Sequence, residues 1–126
     1  FMSDPIIKEW INKAEEDYES AQVLFRSKRK RVYDSICFHS QQCAEKYLKA
    51  YLAAHKIRFP KTHSLMELLR LSEQIDASLG LIFDLLKRLE PYAIDFRYPG
   101  EEAAKREANL ALKAATEVRF FLRSKF

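Results

Sequence analysis

"VYDSICFHSQQCAEKYLKAYLAAH", Val32 to His55, is the stretch that decides the fold. Ile36, Ser40, Cys43, Ala44, Tyr47, Leu48 and Tyr51 recur every three or four positions, the period that lines one face of an α-helix. No proline or glycine interrupts the run. The small side chains of Ser40, Cys43 and Ala44 allow a second helix to approach closely. A helix of this length needs partners to cover its apolar stripe, and the flanking sequence supplies them.

Upstream, Asp4-Pro5 reads as an N-cap followed by proline in the first turn, where the missing N–H does no harm. Ile7, Trp10, Ala14, Tyr18, Ala21 and Phe25 then form the apolar face of a helix running to about Ser27, with Glu9, Glu15, Glu16 and Glu19 opposite. Downstream, Pro60 ends a connector. The stretch "SLME", Ser64 to Glu67, predicts a capping box, with the Ser64 hydroxyl on the Glu67 amide and the Glu67 carboxylate reaching back. The third helix carries Leu65, Leu68, Leu69, Leu71 and Ile75 as its apolar set. Gly80 separates it from a fourth helix with Ile82, Phe83, Leu85, Leu86 and Leu89, which Pro91 should end or kink near Glu90. Past "RYPG", Glu101 and Glu102 suit the positive end of a last helix. Its Ala104, Ala108, Ala111, Ala115, Val118 and Leu122 fall on one face. The expected fold is all-α: a single domain over residues 1–126, an antiparallel up-and-down bundle of four long helices and one short extra piece.

Composition bounds what such a bundle can do. With 126 residues, 48% of them hydrophobic, the chain is long enough to bury a core without disulfides or a metal. Its net charge of +4 permits a phosphate-bearing partner without demanding one. Cys37 and Cys43 sit six apart on one helix, about 600° of rotation, so their side chains diverge. That spacing suits neither a disulfide nor zinc, and a reducing, cytoplasmic compartment is expected. No apolar run approaches the ~20 residues that span a bilayer, so no membrane partner is expected. No signal peptide is expected either, and Phe1 ahead of Met2 reads as an appended residue.

The residues with chemistry to offer are few. Two glycines cannot build a nucleotide-cradling loop. His39, His55 and His63 lack the spacing of metal ligands, and neither metal nor cofactor is expected. Gln41, Gln42, Glu45, Lys46 and Lys49 interleave with the apolar stripe of the long helix. Glu45 and Lys49, at i,i+4, are either a solvated pair or an acid and a base lining a groove. His63, just ahead of the Ser64 cap, either packs over a helix start or exchanges a proton near neutral pH. Arg29, Lys30 and Arg31, within "RSKRKR", are either a solvated connector or a grip on a phosphate backbone. In "DFRYPG", Asp95 to Gly100, Arg97 stands between Phe96 and Tyr98. Stacked between the rings it would clamp a phosphate bidentately; turned inward it would pair with Glu45 or Asp95.

"SQQCAEKYLKAYL" (Ser40 to Leu52), "PKTHSLMELL" (Pro60 to Leu69) and "IDFRYPG" (Ile94 to Gly100), in that order and at these separations, resemble the HEPN family (higher eukaryotes and prokaryotes nucleotide-binding). The resemblance spans nearly the whole chain. It implies a helical bundle similar to the helical domain of kanamycin nucleotidyltransferase, commonly a homodimer, in a prokaryotic protein often encoded beside a small nucleotidyltransferase. It further implies either a substrate-binding partner of that enzyme or a toxin countered by it. The toxin branch carries Arg, four to six residues, then His, as a ribonuclease motif. Arg97 matches the arginine, but Glu102, Ala103 and Ala104 occupy the places for histidine, and no histidine follows His63. Arg58 and His63 meet the spacing only in the connector before the third helix, where the match reads as coincidence. The resemblance therefore favours a non-catalytic nucleotide-binding and assembly subunit, with Arg97, Tyr98, His63, Glu45, Lys49 and Gln42 as its ligand residues. The alternatives are a metal-independent ribonuclease using Arg97 with His63, its RNA gripped partly by Arg29, Lys30 and Arg31, and a plain dimerisation scaffold.

Overall fold

Asp4 opens the first helix as expected: its carboxylate accepts the amides of Ile6 and Ile7 at 2.9 and 3.4 Å, and Pro5 takes the first helical position. The structure, a computed structural model, describes residues 4–94 and 98–126, with Lys30 in its backbone alone. Among the described residues five α-helices follow one another: α1 (Pro5–Arg26), α2 (Tyr33–Ala54), α3 (Leu65–Glu73), α4 (Phe83–Leu89) and α5 (Lys105–Arg123). Short 3-10 turns lie at Lys30–Val32, Ala77–Ile82 and Glu90–Tyr92. No strand occurs among the described residues. Three helices are long and two short, where four long ones and a short piece were expected.

The all-α antiparallel bundle is built around α2. One side of it packs on α1, another on α5, and α3 and α4 close the rest. The small residues act as the sequence suggested: Cys43 and Ala44 are fully buried, so neighbouring helices come close at mid-length. Tyr47, Leu48, Leu52, Leu65, Leu68, Leu86 and Leu122 fill the centre with Ala108, Ala111 and Val118. Both cysteines are buried, and neither is joined in a disulfide. Burial holds the Cys43 thiol far above the ordinary thiol range, so it stays protonated and inert.

Several local expectations are corrected. Ser64 does accept the Glu67 amide, at 3.2 Å, but the Ser64 N–H donates to the Thr62 hydroxyl at 3.1 Å rather than to Glu67. The remaining free amides of α3 go to a residue distant in sequence. Glu90 Oε1 accepts from Leu65 N–H at 2.7 Å, while Glu90 Oε2 accepts from Met66 N–H at 3.0 Å and from the Ser64 hydroxyl at 3.1 Å. Phe83, expected in the core, is exposed at the first turn of α4. Pro91 does end α4, which stops at Leu89 and passes into a 3-10 turn. Glu101 and Glu102 lie exposed ahead of α5, which begins at Lys105 with Ala104 as N-cap. What holds that approach is Asp34 at the start of α2, accepting the Ala103 N–H at 2.7 Å. Tyr98 to Glu101 close a tight turn, with a 3.0 Å bond from Glu101 N–H to the Tyr98 carbonyl and Gly100 at φ +90°. Glu15, expected on the acidic face opposite the apolar stripe, is half-buried and bonded to Tyr47 and Arg119 on neighbouring helices.

The end of α2 sets the direction of the next connector. His55 caps it and Lys56 takes the left-handed conformation, φ 58°. Lys56 N–H reaches the Ala53 carbonyl at 3.0 Å, and Ile57 N–H reaches the Leu52 carbonyl at 2.9 Å. This is a Schellman stop with lysine where glycine is usual. It turns the connector back along α2, and Phe59 meets Trp10 edge to face at 6.2 Å.

Candidate functional site

The interleaving of polar and apolar residues on α2 places Gln41, Gln42, Glu45 and Lys49 along one line, each within a turn of the next. Burial makes that line consequential. The side chain of Glu45 is 3% exposed and that of Lys49 9%. Glu45 Oε2 accepts from Lys49 Nζ at 3.0 Å, and Glu45 Oε1 accepts from Gln41 and Gln42 amide nitrogens at 3.1 and 3.3 Å. Lys49 also lies against the faces of Trp10 and Phe59, at 5.6 and 6.0 Å from the ring centres. Gln42 Nε2 also donates to the side-chain Oε1 of Gln41 at 2.7 Å.

His63 completes the group from outside. Its Nδ1 lies 3.1 and 3.2 Å from the two Glu45 oxygens, and Gln41 donates to its backbone carbonyl at 3.1 Å. A carboxylate only accepts, so with Glu45 ionised Nδ1 carries the proton, and whenever the ring is neutral Nε2 is its acceptor, with no partner among the described residues. The His63 side chain is 69% exposed, so a buried carboxylate holds an imidazole that solvent reaches. That arrangement orients a ring to take a proton or meet a polar ligand edge. Next along the chain, Ser64 is bonded to Glu90, which fixes the end of α4 beside the same site.

Of the expected site residues, the fold therefore brings Glu45, Lys49, Gln42 and His63 together. Arg97, with Phe96 and Asp95, lies outside the described residues. Tyr98 is exposed in the turn that follows. Arg29 and Arg31 are exposed in the α1–α2 connector, away from any helix interior.

A second polar group escaped the sequence reading. Asp17 is buried on α1, its Oδ1 2.8 Å from His39 Nδ1 and its Oδ2 accepting from Lys46 Nζ at 2.5 Å. Burial pushes this carboxyl up, but the His39 and Lys46 bonds outweigh it and hold the carboxyl below its ordinary range. Glu15 accepts two 2.6 Å bonds from Arg119 on α5 and one from the Tyr47 hydroxyl at 2.6 Å. The bidentate Arg119 contact is the main reason its carboxyl is held low. The signal was available: Asp17 stands three residues after Ala14 and four before Ala21, on the face already assigned to the core.

The geometry can be set beside known proteins. The profile of the HEPN domain matches residues 7–125, almost the whole chain. This chain belongs to the HEPN family. A curated relative of this HEPN chain, "Putative toxin MJ1304" of Methanocaldococcus jannaschii, is 29% identical over 94% of this chain and 90% of its own length. The crystal structure of ST0689, described as an archaeal HEPN homologue, superposes with a TM-score of 0.76 at 25% identity, covering 94% of this chain and 96% of that one. No helix among the described residues of the HEPN chain is long and apolar enough to cross a membrane.

Proposed function

We propose that this HEPN chain is a nucleotide-binding and assembly subunit that forms a homodimer and works with a partner nucleotidyltransferase in the cytoplasm of a prokaryote. The observation that carries the reading is the exposed His63 imidazole anchored on buried Glu45. An oriented ring with an acceptor nitrogen suits hydrogen bonding to a base or sugar edge, and Arg97 with Tyr98 would supply the phosphate and stacking contacts. The places where a ribonuclease histidine would follow Arg97 hold Glu102, Ala103 and Ala104, which weighs against autonomous cleavage. Titration calorimetry with ATP, and gel filtration with a nucleotidyltransferase encoded beside the chain, test the reading. Binding of both that weakens in His63→Ala and Arg97→Ala is expected; no association with either removes it.

A metal-independent ribonuclease is the second reading, and the same pair of residues favours it. Glu45 orients His63 as a carboxylate orients a general base, and the relative from Methanocaldococcus jannaschii carries a toxin name. In this reading His63 Nε2 takes the 2′-hydroxyl proton while Arg97 steadies the charge on phosphorus. Cleavage of transfer and messenger RNA by the wild type, lost in His63→Ala and in Arg97→Ala, would establish it. Equal background in all three would end it.

A further inference from the structure

Ile6, Lys13, Glu16 and Val23 on the outward face of α1 are exposed among the described residues, and Lys13 and Glu16 near its middle carry opposite charges. Two shallow depressions run along this face. One, about 210 Å³, lies by Ile6, Trp10 and Lys13; the other, about 530 Å³, lies by Glu16, Val23 and His39. Ile6 is 66% exposed and Val23 55%, large apolar groups left in water at opposite ends of one helix. Lys13 and Glu16, near the middle, are exposed and have no ion-pair partner among the described residues.

Their order in the sequence fixes a register. Ile6 is seven residues before Lys13, and Val23 is seven after Glu16. Seven residues are two turns of one helix face, about 10 Å. A second α1 laid antiparallel with its Glu16 against Lys13 therefore brings its Val23 against Ile6. By two-fold symmetry each contact occurs twice. A parallel arrangement sets Lys13 on Lys13 and Glu16 on Glu16 and is repelled.

We propose that this face of α1 is a homodimer interface in which a second copy of the chain docks antiparallel. Lys13 pairs with the partner's Glu16, and Ile6 enters the wider depression beside the partner's Val23. The interface rests on the homodimer included in the proposed function and adds to it the face and the register. Because His39, held by Asp17, borders the wider depression, the second copy also closes over the buried Asp17 group.

Charge exchange tests the register. Analytical ultracentrifugation of the full chain should show Lys13→Glu and Glu16→Lys each raising the dimer dissociation constant by about tenfold or more, since each sets two like-charge contacts per dimer. The double variant, with the charges swapped, should return it to within about threefold of the original. A second variant needs no change of charge: Ile6→Cys with Val23→Cys should form a disulfide-linked dimer on mild oxidation. Within one chain these positions are about 25 Å apart on the same helix, so the bond must join two copies. The buried native cysteines take no part. A wild-type dimer indifferent to either reversal, and uncross-linked through the new cysteines, overturns this face while leaving the homodimer intact. A monomeric wild type at the concentrations used overturns both. A nucleotidyltransferase that is released by Lys13→Glu from a still dimeric chain assigns the face to that enzyme instead.

Discussion

Glu45 is the residue on which the site turns. Four side chains converge on one buried carboxylate, so its removal strands Lys49 in a nearly closed pocket. Glu45→Ala is expected to lower folding stability by about 3–5 kcal/mol in urea denaturation, the usual cost of leaving one buried charge alone. Glu45→Leu combined with Lys49→Met should recover most of that loss, because no unpaired charge then remains. Ser40 offers the opposite case. It is fully buried on α2, and its hydroxyl has no hydrogen-bond partner among the described residues. Ser40→Ala should therefore be neutral or stabilising by up to about 1 kcal/mol, read from the same denaturation curves. At this scale the sequence was only partly legible. The i,i+4 spacing of Glu45 and Lys49 is visible in any reading of α2, and so is the short step from His63 to a helix cap. Whether the imidazole reaches the carboxylate depends on the path of residues 56–62, and spacing contains no information about that path.

Among the elements, the start of α3 shows what local pattern misses. Ser64 and Glu67 satisfy the letters of a capping box, yet Glu90, contributed by the far end of α4, takes the Leu65 and Met66 amides. A carboxylate there also meets the positive end of the helix dipole, which explains the preference for an acid brought in from outside. Glu90→Ala is expected to cost about 1–2 kcal/mol. It should also speed amide exchange at Leu65 and Met66 selectively, whereas Glu67→Ala should leave those two amides protected. The periods of α1, α2 and α5 were readable because each buries a continuous face for about four turns or more. The shorter α3 and α4 give the pattern too few repeats, so Phe83 was assigned inward when it lies outside.

For the molecule as a whole, three carboxyls held low by their partners tie acid resistance to helix packing. Glu15 joins α1 to α5 through Arg119, Asp17 joins α1 to α2 through His39 and Lys46, and Asp76, lowered to about 2 chiefly by Ser78 and then by Lys125, joins the turn before α4 to the chain's end. A carboxyl with a depressed folded value stabilises the fold above its unfolded value and loses that contribution as pH falls through the folded one. Stability should accordingly be level from pH 7 to about 5 and decline below about 4, the ordinary carboxyl range. Urea midpoints across that range check the direction, and in Arg119→Met the decline should be shallower because Glu15 loses its main partner. Charge counting could not have found this, since a net +4 says nothing about which acids are paired. The bundle itself, by contrast, follows from so few helix breakers and so regular a stripe on α2.

The Schellman stop at Lys56 has a consequence beyond ending a helix. One more residue of α2 would swing the exit by about 100° and send Phe59 and His63 around a different side of the cylinder. The stop thus works as an aiming device, and the imidazole finds its carboxylate because the winding ceases there. Aim is bought with backbone strain, since lysine is less at ease than glycine at φ 58°. Lys56→Gly should therefore gain about 1 kcal/mol while leaving the bearing of the connector, and with it every contact of His63, as it is.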